Sequence, residues 1–238
     1  MVNSMTDVPL QLSATERAAA PGAGRAGPVV VFLHGLGCER GQFARQMEGL
    51  DPRLRLISLD LPGHGQSPEL RDRPYTLASM TRAVIEELSA RGHLDVVLVG
   101  HSAGGLIALR AAVEHPTLVR GLVALDTNMA LSKADMRANT TRAQESEVGE
   151  WRRYFMASMA TSWGDDDGAA EHQRASVFGT LARTPEHVVR PFWHDILMFE
   201  PESFWRQCQV VPLEKSSSQV AAVTVRRLGA CPDDRVPV

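Results

Sequence analysis

Apolar residues fall in short unbroken runs. PVVVFL at 28 to 33 and DVVLVG at 95 to 100 are β-branched, end in glycine-bearing turns and precede segments with helical spacing. Runs of that length and make-up are strands covered on both faces, as in a parallel sheet. LRLISLD at 54 to 60 and VRGLVALD at 119 to 126 add two further strands, and helical periodicity occupies about 40 to 50, 76 to 92 and 103 to 115. Strand and helix alternate from 28 to 126, which predicts an α/β core: a mostly parallel sheet, flanking helices and right-handed crossovers.

The alternation then stops. GEWRRYFMASMATSW and PEHVVRPFWHDILMF keep helical periodicity without strands between them, and GDDDGAAEH at 164 to 172 reads as a solvated loop or capping segment. The pattern predicts four parts: an N-terminal segment at 1–27, partly disordered; the core at 28–126; a helical cap inserted at 127–205; and a return to the core with an atypical tail at 206–238. QCQVVPLE at 207 to 214 is the returning strand, short or at an edge because Pro212 has no amide to donate. The text after it fits no further element, so the C-terminal strand and helix read as incomplete; its Arg, Gly and Pro mixture fits a premature or shifted reading frame.

A length of 238 residues suits one core with a sizeable insertion. The net charge of −3 offers no broad basic field, so nucleic acid is not an expected partner. Cys38, Cys208 and Cys231 have neither metal-ligand nor redox-motif spacing; no metal is expected, and the odd number suits a reducing compartment. No basic segment leads into an apolar one at the N-terminus, and no apolar run approaches the roughly 18 residues of a membrane span. The reading is cytoplasmic, with no membrane partner.

The chemistry concentrates in VVLVGHSAGGLIALRAAVEHP at 96 to 116. Strand, then Gly100-His101-Ser102-Ala103-Gly104, then helix is the G-x-S-x-G turn in the context that makes it a nucleophile elbow. Such a turn lifts the serine hydroxyl clear of the sheet and sets the Ala103 amide, at a helix start, beside any oxyanion formed on attack. FLHGLGCERGQF at 32 to 43 follows another buried strand and can aim the Leu36 amide at the same oxygen. The glycines of that loop and Asp60 imitate a dinucleotide fingerprint, but a Pro-Gly turn follows the aspartate at once and the next helix begins late. Asp60 is read as bonding the turn after it.

With VVVFLHGLG, LISLDLPGHGQSP and the Ser102 segment in this order and spacing, the sequence resembles the α/β-hydrolase superfamily, strongly over about 28 to 126 and in kind over the cap. The resemblance implies a cap-bearing, esterase-like serine hydrolase that works without metal or organic cofactor on a small-molecule substrate. Ser102 would be the nucleophile, with the Leu36 and Ala103 amides as the oxyanion hole. In that family the order is serine, acid, histidine. Here no histidine follows His194. His34 and His101 belong to the motif turns and are expected to hold loops, His64 sits in a Pro-Gly turn, and His93 and His115 fall near helix ends, which leaves His172, His187 and His194 of the cap; of these His194, followed by Asp195, is the candidate base, although a packed helix face explains it as well. Asp126, at the end of GLVALD, is the candidate acid, with Glu214 the other carboxylate near the usual position. Trp151, Trp163, Trp193 and Trp205 in or next to the cap imply a small, fairly hydrophobic substrate. Two rival readings remain open: a hydrolase-fold protein that binds, cyclises or eliminates without hydrolysing, and an inactive truncated product.

Overall fold

The computed structural model describes residues 10–22, 27–127, 168–205, 209–212 and 223–226, with single helical positions at 134, 137, 138 and 141. Strands β1 (Ala14–Arg17), β2 (Val29–Leu33), β3 (Arg55–Leu59), β4 (Val96–His101) and β5 (Val119–Leu125) form one sheet in the order β1-β3-β2-β4-β5. β2 to β5 run parallel, with Val31 opposite Ile57 on one side and Leu98 on the other. The helices are α1 (Ala44–Gly49, entered through a 3-10 turn at Arg40–Phe43), α2 (Leu77–Ala90) and α3 (Ala103–Glu114).

The two-residue period of the strands divides the core. Val29, Val31 and Leu33 pack with the buried faces of α2 and α3, while Phe32 turns the other way onto Phe43 and Met47. The Phe32 and Phe43 rings lie 4.9 Å apart. Both faces are therefore dry, which is why these strands read as continuous apolar runs.

Two segments differ from the sequence reading. The N-terminal segment, expected only as partly disordered, supplies β1, which pairs antiparallel with β3. Leu10, Leu12 and Ala14 alternate with polar residues, the spacing of a half-buried edge strand, and Leu12 is buried. Glu87 of α2 fastens it, accepting from the Leu12 amide at 2.9 Å and pairing with Arg91, which also pairs with Glu16 of β1. At the other end, β6 (Gln209–Pro212) pairs antiparallel with β7 (Val223–Arg226) in a separate two-stranded sheet, and it is β7 that lies alongside β5.

Helices α4 (Gly168–Arg183), α5 (Glu186–Met198) and α6 (Pro201–Trp205) belong to the insertion. Residues 168 to 172, expected in a loop, begin α4, because Ala-Ala-Glu-His extends a helix readily. The stretch at 149–163 and residues 164–167 lie outside the described residues. Leu181 of α4 covers Gly37, Val188 of α5 covers Gly63, and the Phe192 ring meets His64 edge-on at 6.4 Å. Asp195 accepts from the Leu77 amide at 2.7 Å, closing the first turn of α2. The helical insertion thus packs on the loops at the C-terminal ends of the strands. Among the described residues no helix is long and apolar enough to cross a membrane.

Candidate active site

From β2 the chain goes to one side through α1 to reach β3, and β4 takes the other side of β2. Such a reversal opens a crevice beyond the carboxyl ends of the two diverging strands. The loop after β2 and the turn after β4 meet there.

Ser102 occupies that turn with φ 51° and ψ −118°, a left-handed conformation disfavoured for any residue with a β-carbon. Its neighbours hold it. A β-carbon on Gly100 would overlap the Gly104 carbonyl, and one on Gly104 would overlap the Leu33 carbonyl, so strand, turn and helix interlock through bare backbone. The Ser102 amide donates to Leu125 O at 3.0 Å, while the Thr127 hydroxyl reaches Leu125 O at 3.0 Å and Ser102 O at 3.2 Å. The end of β5 is stitched to the turn on both sides of Asp126. Among the described residues no side chain is hydrogen-bonded to the Ser102 hydroxyl.

The Leu36 amide is aimed by its own peptide group. Leu61 N donates to His34 Nε2 at 2.9 Å, so His34 carries its proton on Nδ1 and donates to Gly35 O at 2.8 Å. Cys38 N adds a second bond to that carbonyl at 3.1 Å. With the peptide trans, the Leu36 N–H points the opposite way. Burial pushes the His34 imidazole down to about 3, helped by neighbouring His64, so it stays neutral and keeps this proton arrangement. Among the described residues neither Leu36 N–H nor Ala103 N–H donates a hydrogen bond. Ala103 N–H is also the first amide of α3, where the helix provides no acceptor. Two free donors on rigid backbone can receive a negative oxygen.

Asp126 has φ 42° and a side chain 77% exposed; its Oδ2 lies 3.9 Å from His101 Nε2. His101 is engaged on its other nitrogen: Gln42 Oε1 accepts from the Gly35 amide at 3.2 Å, so the Gln42 amide nitrogen is the group 2.8 Å from His101 Nδ1. His101 Nδ1 therefore accepts, and the neutral ring carries its proton on Nε2, towards Asp126. Burial lowers the His101 pKa, and Asp126 works against that shift.

Of the cap histidines, His187 is exposed and lies 2.7 Å from Glu69, a surface pair. His194 is half-buried on α5, next to the Asp195 that closes α2. The His172 side chain and Glu214 lie outside what is described. Asp60 is fully buried, pairs with Arg40 and accepts from the amides of Arg40 at 2.7 Å and Gln66 at 2.9 Å. It ties the turn after β3, as the sequence reading has it, and these bonds leave no role on a ribose.

A cavity of about 390 Å³ opens between the loop after β2, with the start of α1, and α4, walled by Cys38, Gln42, Arg45, Gln46, Ser176, Val177 and Thr180. Cys38 is a buried thiol, pushed up to about 12 by desolvation first and then by Glu39, and is inert as a nucleophile. Trp193 sits in the core, while Trp151 and Trp163 and the Trp205 side chain lie outside the description. Gln42 was not legible as a site residue. It lies in the quoted loop FLHGLGCERGQF, seven positions beyond Gly35, but nothing in that stretch gives it a partner, and only the 3-10 turn folds it back.

The crevice at a strand reversal and the strained serine turn are features of an α/β-hydrolase. The chain belongs to that family: the model of the alpha/beta hydrolase fold matches residues 28–191. It is 44% identical over 102 residues to the pimeloyl-[acyl-carrier protein] methyl ester esterase of Chromobacterium violaceum, covering 43% of this chain and 38% of that one. It is 32% identical over 130 residues to a putative carbamate hydrolase, RutD, of Klebsiella pneumoniae, covering 55% of this chain and 49% of the relative. The chain thus spans less than half the length of either protein. A thermophilic esterase from Thermogutta terrifontis shares the fold with a TM-score of 0.64 at 20% identity, over 81% of this chain and 68% of that one.

Proposed function

We propose that the protein is a serine hydrolase that cleaves an ester-like or related acyl bond in a small, fairly hydrophobic substrate. Ser102 Oγ attacks the carbonyl carbon while its proton passes to a base; the leaving group departs with a proton, and water then releases the acyl group from Ser102. The Leu36 and Ala103 amides stabilise the oxyanion in both steps. The observation that carries this reading is the Ser102 turn, held left-handed by interlocked backbone beside two amides that are unengaged among the described residues. The names of the relatives, a methyl ester esterase and a putative carbamate hydrolase, agree with acyl chemistry.

Asp126 is proposed as the acid and His194 as the base. His101 is unsuited to be the base, because its one lone pair accepts from Gln42. The Ser102 hydroxyl, without a partner among the described residues, favours a second reading, a hydrolase-fold binding protein, since a serine without its base keeps only a small part of the catalytic effect. A fluorophosphonate probe separates the two. Labelling of the folded protein that is lost in Ser102→Ala supports the hydrolase; no labelling supports the binder. His194→Gln is expected to slow labelling by about a million-fold if His194 is the base, and a rate equal to wild type removes it from that role.

A further inference from the structure

Gln42 joins three parts of the crevice with one side chain. It stands in the 3-10 turn before α1, its Oε1 accepts from Gly35 at 3.2 Å, and its Nε2 donates to His101 Nδ1 at 2.8 Å. The direction of each bond is fixed, because an amide N–H can only donate and so only Oε1 can face Gly35. The approach is close: a β-carbon on Gly35 would lie 2.9 Å from His101 Nδ1 and 3.4 Å from the Ser102 β-carbon. The Gly35 peptide and the Ser102 turn are thus adjacent, and Gln42 spans them.

Resting on the hydrolase reading, we propose that Gln42 is a positioning residue, clamping the Leu36 loop against the Ser102 turn and locking His101 as the neutral Nε2–H tautomer. Both ends matter. The Gly35 amide precedes the peptide whose N–H is the proposed oxyanion donor, so loosening it lets the Leu36 amide swing. His101 directly precedes Ser102, and its ring packs on Gly35; a ring that turns over or gains a charge pushes on both loops. The titratable groups facing that ring are Asp126 from the end of β5 and His34 from the loop after β2.

Gln42→Glu tests this with one atom exchanged. The carboxylate still accepts from Gly35 but cannot donate to His101, and it places a negative charge against Nδ1. Two measurements on the full chain decide the matter, with folding checked by thermal melting. Nitrogen NMR of labelled histidines, with the His101 signals assigned by His101→Gln, should show the Nε2–H tautomer in wild type. Gln42→Glu should show imidazolium or the Nδ1–H form at the same pH. The second-order rate of fluorophosphonate labelling should fall about 10- to 100-fold, as small misplacements of catalytic groups do, with a new ionisation in its pH profile. Gln42→Leu, which keeps neither bond, should give mixed tautomers and a similar slowing without the new ionisation, and it decides the question if the glutamate variant does not fold. An unchanged His101 spectrum, or labelling within twofold of wild type, overturns the proposal. If wild type itself fails to label, the hydrolase reading falls, and the histidine spectra alone still uphold or overturn the clamp.

Discussion

At Ser102 the left-handed backbone strains the fold, and the hydroxyl is what that strain presents to the crevice. Residues forced into such regions cost on the order of 1–3 kcal/mol each. Replacing the side chain should separate the two consequences. Ser102→Ala and Ser102→Gly both lose the hydroxyl and all fluorophosphonate labelling, but only glycine relaxes the backbone. Ser102→Gly is therefore expected to be the more stable of the pair by about 1–3 kcal/mol in urea unfolding. Equal stabilities would mean the turn carries no such strain. The same residue scale shows how far a motif reaches. Gly100 and Gly104 announced the elbow because their β-carbons have nowhere to go, and His34 and Asp60 sit in turns whose bonding the text implied. The bond from Gln42 to His101 joins residues 59 apart, and no spacing rule encodes it.

Among elements, β2 to β5 and α1 to α3 lie within a few residues of the predicted ranges, because each strand is apolar on both faces and each helix ends at a turn signal. β1 escaped for the opposite reason: an edge strand of four residues carries only a weak alternation, and its anchorage by Glu87 and Arg91 comes from a helix some 75 residues later. The contact between the cap and the core is equally illegible. Asp195 has no assigned role in the sequence beyond following His194, yet its carboxylate crosses to α2, where it accepts from Leu77 N, while Thr76 accepts from Ser79 N at 3.2 Å. The N-terminus of α2 therefore has a cap from its own chain segment and one from α5, each favourable to the helix dipole. Asp195→Ala should cost about 1 kcal/mol, the usual worth of a helix cap, and raise proteolytic cleavage of α5 before that of the sheet. Asp195→Asn, which can still accept from Leu77, should restore most of it. A null effect of Asp195→Ala on both measurements would show that apolar packing by Val188, Phe192 and Leu197 holds α5 by itself.

Across the whole molecule, the loops at the strand ends are built around buried neutral imidazoles, and that makes the fold sensitive to acid. His34 is lowered to about 3 and His64 to about 4, in each case first by burial. His64 donates from Nδ1 to Pro62 O at 3.0 Å, while its Nε2 is buried with no partner among the described residues. In the unfolded chain both rings bind a proton near pH 6.5. Above that pH neither state is protonated and the two histidines contribute no pH dependence. Below it the unfolded chain takes up two protons that the fold refuses, so stability falls as pH falls, until about pH 4 for His64 and about pH 3 for His34. Each pKa unit is worth about 1.4 kcal/mol, so the two rings together remove about 4 kcal/mol between pH 7.5 and pH 5, a large part of the 5–15 kcal/mol typical of a domain. Glu86 adds no loss in this window: against the desolvation that raises it, Arg73 and Arg82 hold its carboxyl below the usual glutamate value. Urea unfolding at pH 7.5, 6 and 5 should show the decline. His64→Gln should remove about half of it, since its Nε2 gives up no bond. A stability that stays flat from pH 7.5 to pH 5 contradicts the burial of these rings as neutral groups. The same protonation bears on the site: charging His34 adds a proton at Nε2 and breaks the bond from Leu61 N, which removes one of the two anchors of the ring that donates to Gly35 O. In protein that remains folded at pH 5, His34 is still neutral. Labelling lost at pH 5 by protein that still melts as a folded chain therefore comes from protonation of the base that takes the Ser102 proton, and not from His34.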